Sequence, residues 1–134
     1  MFARFFIERP VLANVIALVT MLLAITDQFG RGPGGSLASA REVLPRLRDE
    51  YDRAYYAGII IERRGKSLLL QGTAGAGFEA YQCLREAMTS FEMAERIRPP
   101  GKEDSRLRWN ACVRLIARHK LVPRPEEMHE MQLE

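Results

Sequence analysis

The chain has 134 residues, 47% hydrophobic and 28% charged, with 10 Gly, 7 Pro and 2 Cys. That balance excludes a disordered or fibrous chain, and two cysteines exclude a dense disulfide scaffold or a four-cysteine zinc site. Lys and Arg number 20 against 17 Asp and Glu, and the resulting charge of +3 permits acidic partners without requiring them.

Val11 to Thr26 reads VLANVIALVTMLLAIT, with no charge and one amide, Asn14. Apolar side chains on every side leave no polar stripe, unlike an ordinary surface helix. As a helix the run rises about 24 Å, short of the about 30 Å hydrocarbon core of a bilayer. Pro10 in the first turn, with Phe5, Phe6 and Ile7 at the interface, makes up most of the difference. The leading expectation is a transmembrane anchor over residues 1–27 that contacts membrane lipid through residues 10–26. A signal peptide fits less well, because Glu8 interrupts its basic end and Thr26-Asp27-Gln28 is a poor cleavage site. A core helix of a soluble protein is the third reading, since so short a run is ambiguous. Arg4 and Arg9 before the run, with only Arg31 close behind it, favour an internal amino end and an external body.

The opening MFARFFIERPVLANVIALVTMLLA sets Phe2, Arg4, Phe5, Phe6, Ile7, Glu8, Arg9 and Pro10 ahead of the apolar run. Through Ala24 it resembles the amino terminus of bacterial resistance-nodulation-division efflux transporters. The resemblance implies a first membrane helix, hence a single-pass protein of a bacterial inner membrane with a periplasmic body. It stops after Ala24, where that family continues into a porter domain. The expectation is therefore not a working pump, and a truncated or fused remnant of a transporter terminus stands as an alternative.

Residues 28–39, QFGRGPGGSLAS, hold four glycines and predict a flexible linker. Residues 40–121 read as a helical domain. Val43, Leu47, Tyr51, Ala54, Gly58 and Ile61 recur at three and four, predicting a helix from near Arg41 to near Leu70. Pro45 falls in its first turns, and Gly58 or Gly65 is its weak point. GTAGAG, Gly72 to Gly77, breaks it. A second helix from Phe78 to near Arg98 presents Tyr81, Leu84, Met88, Phe91, Ala94 and Ile97, and Pro99-Pro100-Gly101 ends it. A third, near Asp104 to Lys120, presents Leu107, Ala111 and Leu115 with Trp109 and Cys112, capped by Asp104 or Ser105. Residues 122–134 form an acidic tail that frays or makes a short helix.

Ala87, Phe91, Ala94 and Pro99 reproduce the second half of a tetratricopeptide repeat: small residues admit a partner helix, Phe91 fills the space between helices, and Pro99 ends the hairpin. Counting back along the repeat of about 34 residues puts Gly75 and Phe78 at its small and aromatic positions. Residues 41–116, through EYDRAYYAG, YQCLREAMTSFEMAERIRPPG and LRWNACVRLI, resemble bacterial tetratricopeptide-like proteins. That resemblance implies protein or peptide binding and transfers no catalytic residue. The predicted fold is all-α: one N-terminal transmembrane helix, a Gly-rich linker, and a small tetratricopeptide-like body of about three helices. So few hairpins make no solenoid, so the apolar face is expected to close on itself, on a second copy or on a protein partner.

Chemistry is sparse. Gly65-Lys66-Ser67 is shaped like the end of a phosphate-binding loop, but Ile60 stands where the earlier glycine is needed and no strand precedes it. His119 reads as a helix C-terminal residue, and His129 lies among Glu126, Glu127 and Glu130. Cys83 and Cys112 read as small buried hydrophobes. Cys112 and His119 stand about 10 Å apart along a helix, too far for direct proton transfer. No catalytic, cofactor-binding or metal residue is assigned, and no enzyme is expected. Arg96 to Lys120 carries eight Lys or Arg against Glu103 and Asp104. Arg106, Arg108, Arg114 and Arg118 form a candidate patch for an acidic partner, whereas the missing nucleic-acid motif disfavours nucleic acid. Trp109 reads as a packing aromatic. The leading function is a membrane-anchored helical module making protein contacts without catalysis. Besides the transporter remnant, the alternative is a soluble basic helical protein that binds nucleic acid or acidic partners.

Overall fold

Residues 59–62, in one of the two 22-residue helices of the body, are buried in succession, and a helix buried on every side has neighbours on every side. A computed structural model describes the backbone over residues 2–29 and 36–132, and the side chains over 14–29, 36–126 and 128–132. These residues form α1 (Phe2–Asp27), α2 (Leu37–Val43), α3 (Glu50–Gln71), α4 (Ala76–Ile97), α5 (Asp104–Arg118) and α6 (Pro125–Met131), with no strand among them. α3 is the central element. Its Ile60 packs with Leu22 of α1 and with Ala40, Val43 and Leu47. Its Ile59 and Ile61 pack with Leu84, Met88 and Phe91 of α4 and Cys112 of α5.

The helix expected from Arg41 onward is two helices. Leu44–Arg46 is a single 3-10 turn, and Leu47 is extended. Pro45 supplies no backbone donor, and four residues later Asp49 offers a new start. The Asp49 carboxylate accepts from the amides of Tyr51 at 2.8 Å and Asp52 at 3.2 Å, capping α3. Arg53 Nη1 donates to the carbonyls of Leu47 and Arg48, at 2.8 Å each, so the turn leaves neither unpaired. Gly72 ends α3 at φ +62°, and its amide donates to the Leu68 carbonyl at 3.2 Å.

α3 and α4 form an antiparallel hairpin whose seam is built of small residues. Ala80, Ala87 and Ala94 recur every seventh position of α4 and are fully buried. Gly58 and Gly65 of α3, also seven apart, lie against that helix. A Cβ on Gly58 would stand 2.5 Å from Phe91 Cε1, and one on Gly65 would stand 3.2 Å from Cys83 Cβ. The two glycines that read as weak points are where α4 comes closest. The tetratricopeptide register does not describe this hairpin. Each helix is 22 residues long, too long for two to fit a repeat of about 34 residues. Gly75 and Phe78 belong to the start of α4, Gly75 as its left-handed N-cap.

The expected membrane anchor over residues 1–27 is corrected. Among the described residues no helix is long and apolar enough to cross a membrane. α1 contains Arg4, Glu8 and Arg9 and ends at Asp27, so its uncharged run falls short of the about 20 apolar residues that span a bilayer. Pro10 lies inside α1 and not in its first turn. The second half of α1 is docked on the body. Leu22 is 1% and Thr26 4% exposed, and Leu18, Val19 and Ile25 pack on the same cluster. Arg63 of α3 donates to the Leu23 carbonyl at 3.3 Å and to Thr26 Oγ1 at 3.0 Å, and pairs with Asp27. Lipid contact through residues 10–26, single-pass placement in an inner membrane and a periplasmic body are corrected together, since each rested on a spanning helix. The interfacial roles of Phe5, Phe6 and Ile7, and linker residues 30–35, lie outside the described residues.

Candidate functional site

Two polar centres stand out, one on each side of α5. The first is a cleft between α4 and α5. Pro99-Pro100-Gly101 turns the chain, with Gly101 at φ +85°, and α5 returns across α4. Fully buried Ser105 donates through Oγ to Glu95 Oε2 at 2.8 Å. Arg106 Nη2 and Arg98 Nε approach Glu95 Oε1 at 2.7 and 2.9 Å. The Ser105 hydrogen bond, aided by Arg106 and Arg98 against some desolvation, holds the Glu95 carboxyl below its usual range. Trp109 Nε1 donates to Glu92 Oε1 at 3.0 Å, which fixes the indole plane. The cleft beside these contacts encloses about 350 Å³, with Phe91 and Trp109 among its lining and Glu92, Glu95, Arg96 and Arg106 around them. That volume sits at the small end of ligand pockets, which run about 300–1,000 Å³.

The second centre is Glu62 of α3, which is 1% exposed. Lys66 Nζ lies 2.6 Å and Arg108 Nη1 3.6 Å from its Oε1. Neither carboxylate oxygen completes a hydrogen bond among the described residues. Around it, burial pushes the Tyr55 hydroxyl up against the opposing pull of Arg108. Burial works against the Arg108 charge, yet its hydrogen bond to Tyr55 and the charge of Glu62 raise its affinity for the proton. Burial, reinforced by Glu62, pushes the Cys112 thiol up to about 12, so the nucleophilic thiolate is scarce near neutral pH. Nothing in the spacing analysis singled out Glu62. The signal was present in Ile59-Ile60-Ile61: apolar residues on three sides of one turn mean that the next residue is enclosed as well.

Of the residues expected to pack helices, Ala87, Phe91 and Ala94 are fully buried at the α3–α4 seam, and Trp109 lies against the central cluster. Pro99 follows the last turn of α4. The four arginines of the basic patch are not brought together. Arg106 turns to Glu95 and Arg108 to Glu62, on opposite sides of α5. Arg114 and Arg118 are exposed, and neither forms an ion pair among the described residues. Leu107, expected on the apolar face, is 59% exposed. Lys66 and Ser67 lie within α3, where their backbone amides serve the helix and form no phosphate cradle. Among the described residues, no group of three or more His, Cys, Asp and Glu is placed to hold a metal ion.

No family model, no curated protein and no solved structure matches the chain. The efflux-transporter resemblance of the opening and the tetratricopeptide resemblance of residues 41–116 are thereby corrected. The first lacks the spanning helix it implied, and the second lacks both a matching model and the repeat's helix lengths. The transporter-remnant reading goes with the first.

Proposed function

We propose that this chain is a helical binding module, without a catalytic role, that receives one apolar side chain of a partner protein segment in the α4–α5 cleft. The observation that carries this reading is the cleft itself. Phe91 and Trp109 give it an apolar interior, and the carboxylates around it are committed to Trp109, Ser105 and Arg106. Aromatic surface with its polar edges already paired is suited to an apolar anchor, the usual centre of a protein contact. Absence of catalysis accords with a Cys112 thiol raised to about 12 and a His119 exposed at the helix end.

Trp109 is the chain's one tryptophan, so its fluorescence reports on the cleft directly. Peptides selected from a random library on the full chain should shift that emission on binding. Trp109→Leu should weaken the same peptides by at least about tenfold, the worth of one well-buried anchor. Selected peptides that leave the emission unchanged and bind Trp109→Leu equally well would overturn the proposal.

A further inference from the structure

A cavity of about 290 Å³ opens where the last turn of α1, the middle of α3 and the first half of α5 meet. Glu62 lines it, almost wholly buried and with both carboxylate oxygens lacking a completed hydrogen bond. A buried carboxylate is costly unless it is paired, and the pairing here serves one of its two oxygens. The closest approach of both neighbouring cations, Lys66 and Arg108, is to the same oxygen, Oε1. The rest of the wall is committed. Arg63 serves the Leu23 carbonyl, Thr26 and Asp27, and Ser67 Oγ donates to the Phe29 carbonyl at 3.0 Å.

What remains available is therefore specific: the Oε2 acceptor of Glu62, and spare N–H donors on Lys66 and Arg108. Both cations are partly open to solvent, with side chains 41% and 43% exposed, so a small solute can reach them. One carboxylate and two cations leave this centre one positive charge, which favours an anion. An ordinary oxyanion satisfies the cations but sets a bare oxygen against Glu62. An oxyanion that carries its own hydroxyl satisfies both.

We propose that the Glu62–Lys66–Arg108 cavity binds hydrogen phosphate, its unprotonated oxygens accepting from Lys66 and Arg108 and its P–OH donating to Glu62. This site lies across α5 from the proposed peptide cleft and does not depend on it. Binding rests on side chains alone, since the backbone amides of Lys66 and Ser67 are spent within α3. Sulfate has the same shape but no proton at neutral pH, so Glu62 discriminates against it.

The test is titration calorimetry of the full chain at neutral pH and constant ionic strength, with inorganic phosphate and with sulfate. Phosphate is expected to bind at least about tenfold more tightly than sulfate, the worth of one charge-assisted hydrogen bond. Glu62→Gln, whose amide can donate to either anion, should bring that ratio close to one, and Lys66→Met should weaken phosphate by about tenfold or more. Absence of saturable phosphate binding, equal affinity for sulfate, or unchanged phosphate binding by Lys66→Met would each overturn the proposal. The phosphate-to-sulfate ratio of the unaltered chain decides the matter even where a variant fails to fold.

Discussion

Replacing Gly58 by alanine is expected to destabilise the protein, although alanine is the better helix former. In an open helix the exchange gains about 1 kcal/mol from backbone entropy. Here the added methyl would stand 2.5 Å from Phe91 Cε1 and 2.8 Å from both Cδ1 and Cζ, where carbon atoms normally rest about 3.5–4.0 Å apart. Phe91 is fully buried, and its ring can give way only toward the α4–α5 cleft that it lines, so either the ring leaves its packed position or α3 and α4 move apart. Overpacking of this kind costs about 1–3 kcal/mol. With the methyl overlapping a ring face at three atoms, the net loss is placed at about 1–2 kcal/mol, equivalent to a Tm lowered by about 3–8 °C. The assay is urea denaturation followed by circular dichroism, with Gly77→Ala as the control. At Gly77 the only close atom is Leu121 Cδ2 at 3.8 Å, so that variant should gain about 0.4–1 kcal/mol. Phe91→Leu in the Gly58→Ala background should cost less than Phe91→Leu alone, because the two sites share one volume. A Gly58→Ala protein as stable as the original, or as stable as Gly77→Ala, would refute the close-packed seam.

Arg63→Met should release the end of α1 from α3: amide exchange over Leu22 to Asp27 is expected to quicken by about tenfold, and unchanged protection would show that Arg63 does not hold that end. At pH 8 a thiol pushed up to about 12 from 9.0 carries about a thousandfold less thiolate, so alkylation followed by mass spectrometry should label the half-buried Cys83 well before Cys112, and equal labelling would contradict the burial of Cys112. Because its folded value is raised, Cys112 favours the fold fully below pH 9 and loses that contribution as pH climbs toward 12. Glu95 has the opposite sign: its carboxyl is held down by Ser105, so its stabilisation is present above its ordinary value of 4.5 and is lost as pH falls through the lowered one. Ser105→Ala should therefore destabilise the protein at pH 7 and progressively less as pH falls below 4.5 through the lowered value, and a deficit that stays constant down an acid titration would remove Glu95 from the account.

The sequence by itself determined where α3 ends and where α4 and α5 lie, because the signals there are local, although it carried α3 back through the Pro45 turn to Arg41. Gly72 has no side chain to oppose a left-handed turn, the Pro99-Pro100 step cannot continue a hydrogen-bond ladder, and the periodic apolar residues between them fix the faces. The sequence also sets Ala87, Phe91 and Ala94 at a spacing suited to a close helix contact, and all three are buried, although the tetratricopeptide register that suggested them does not hold. Tertiary structure decided what local signals leave undefined. An apolar run such as Val11 to Thr26 is as compatible with lipid as with a protein interior, and only the Ile60 surface and the Arg63 donors of α3, distant in sequence, draw its second half into the core. Charge is subject to the same limit. Arg106 and Arg108 read as one basic patch because sequence counts charges without their partners, whereas the crossing of α5 over the hairpin turns one to Glu95 and the other to Glu62. Burial of Glu62 is likewise a product of three helices meeting, and no single stretch of chain contains that information.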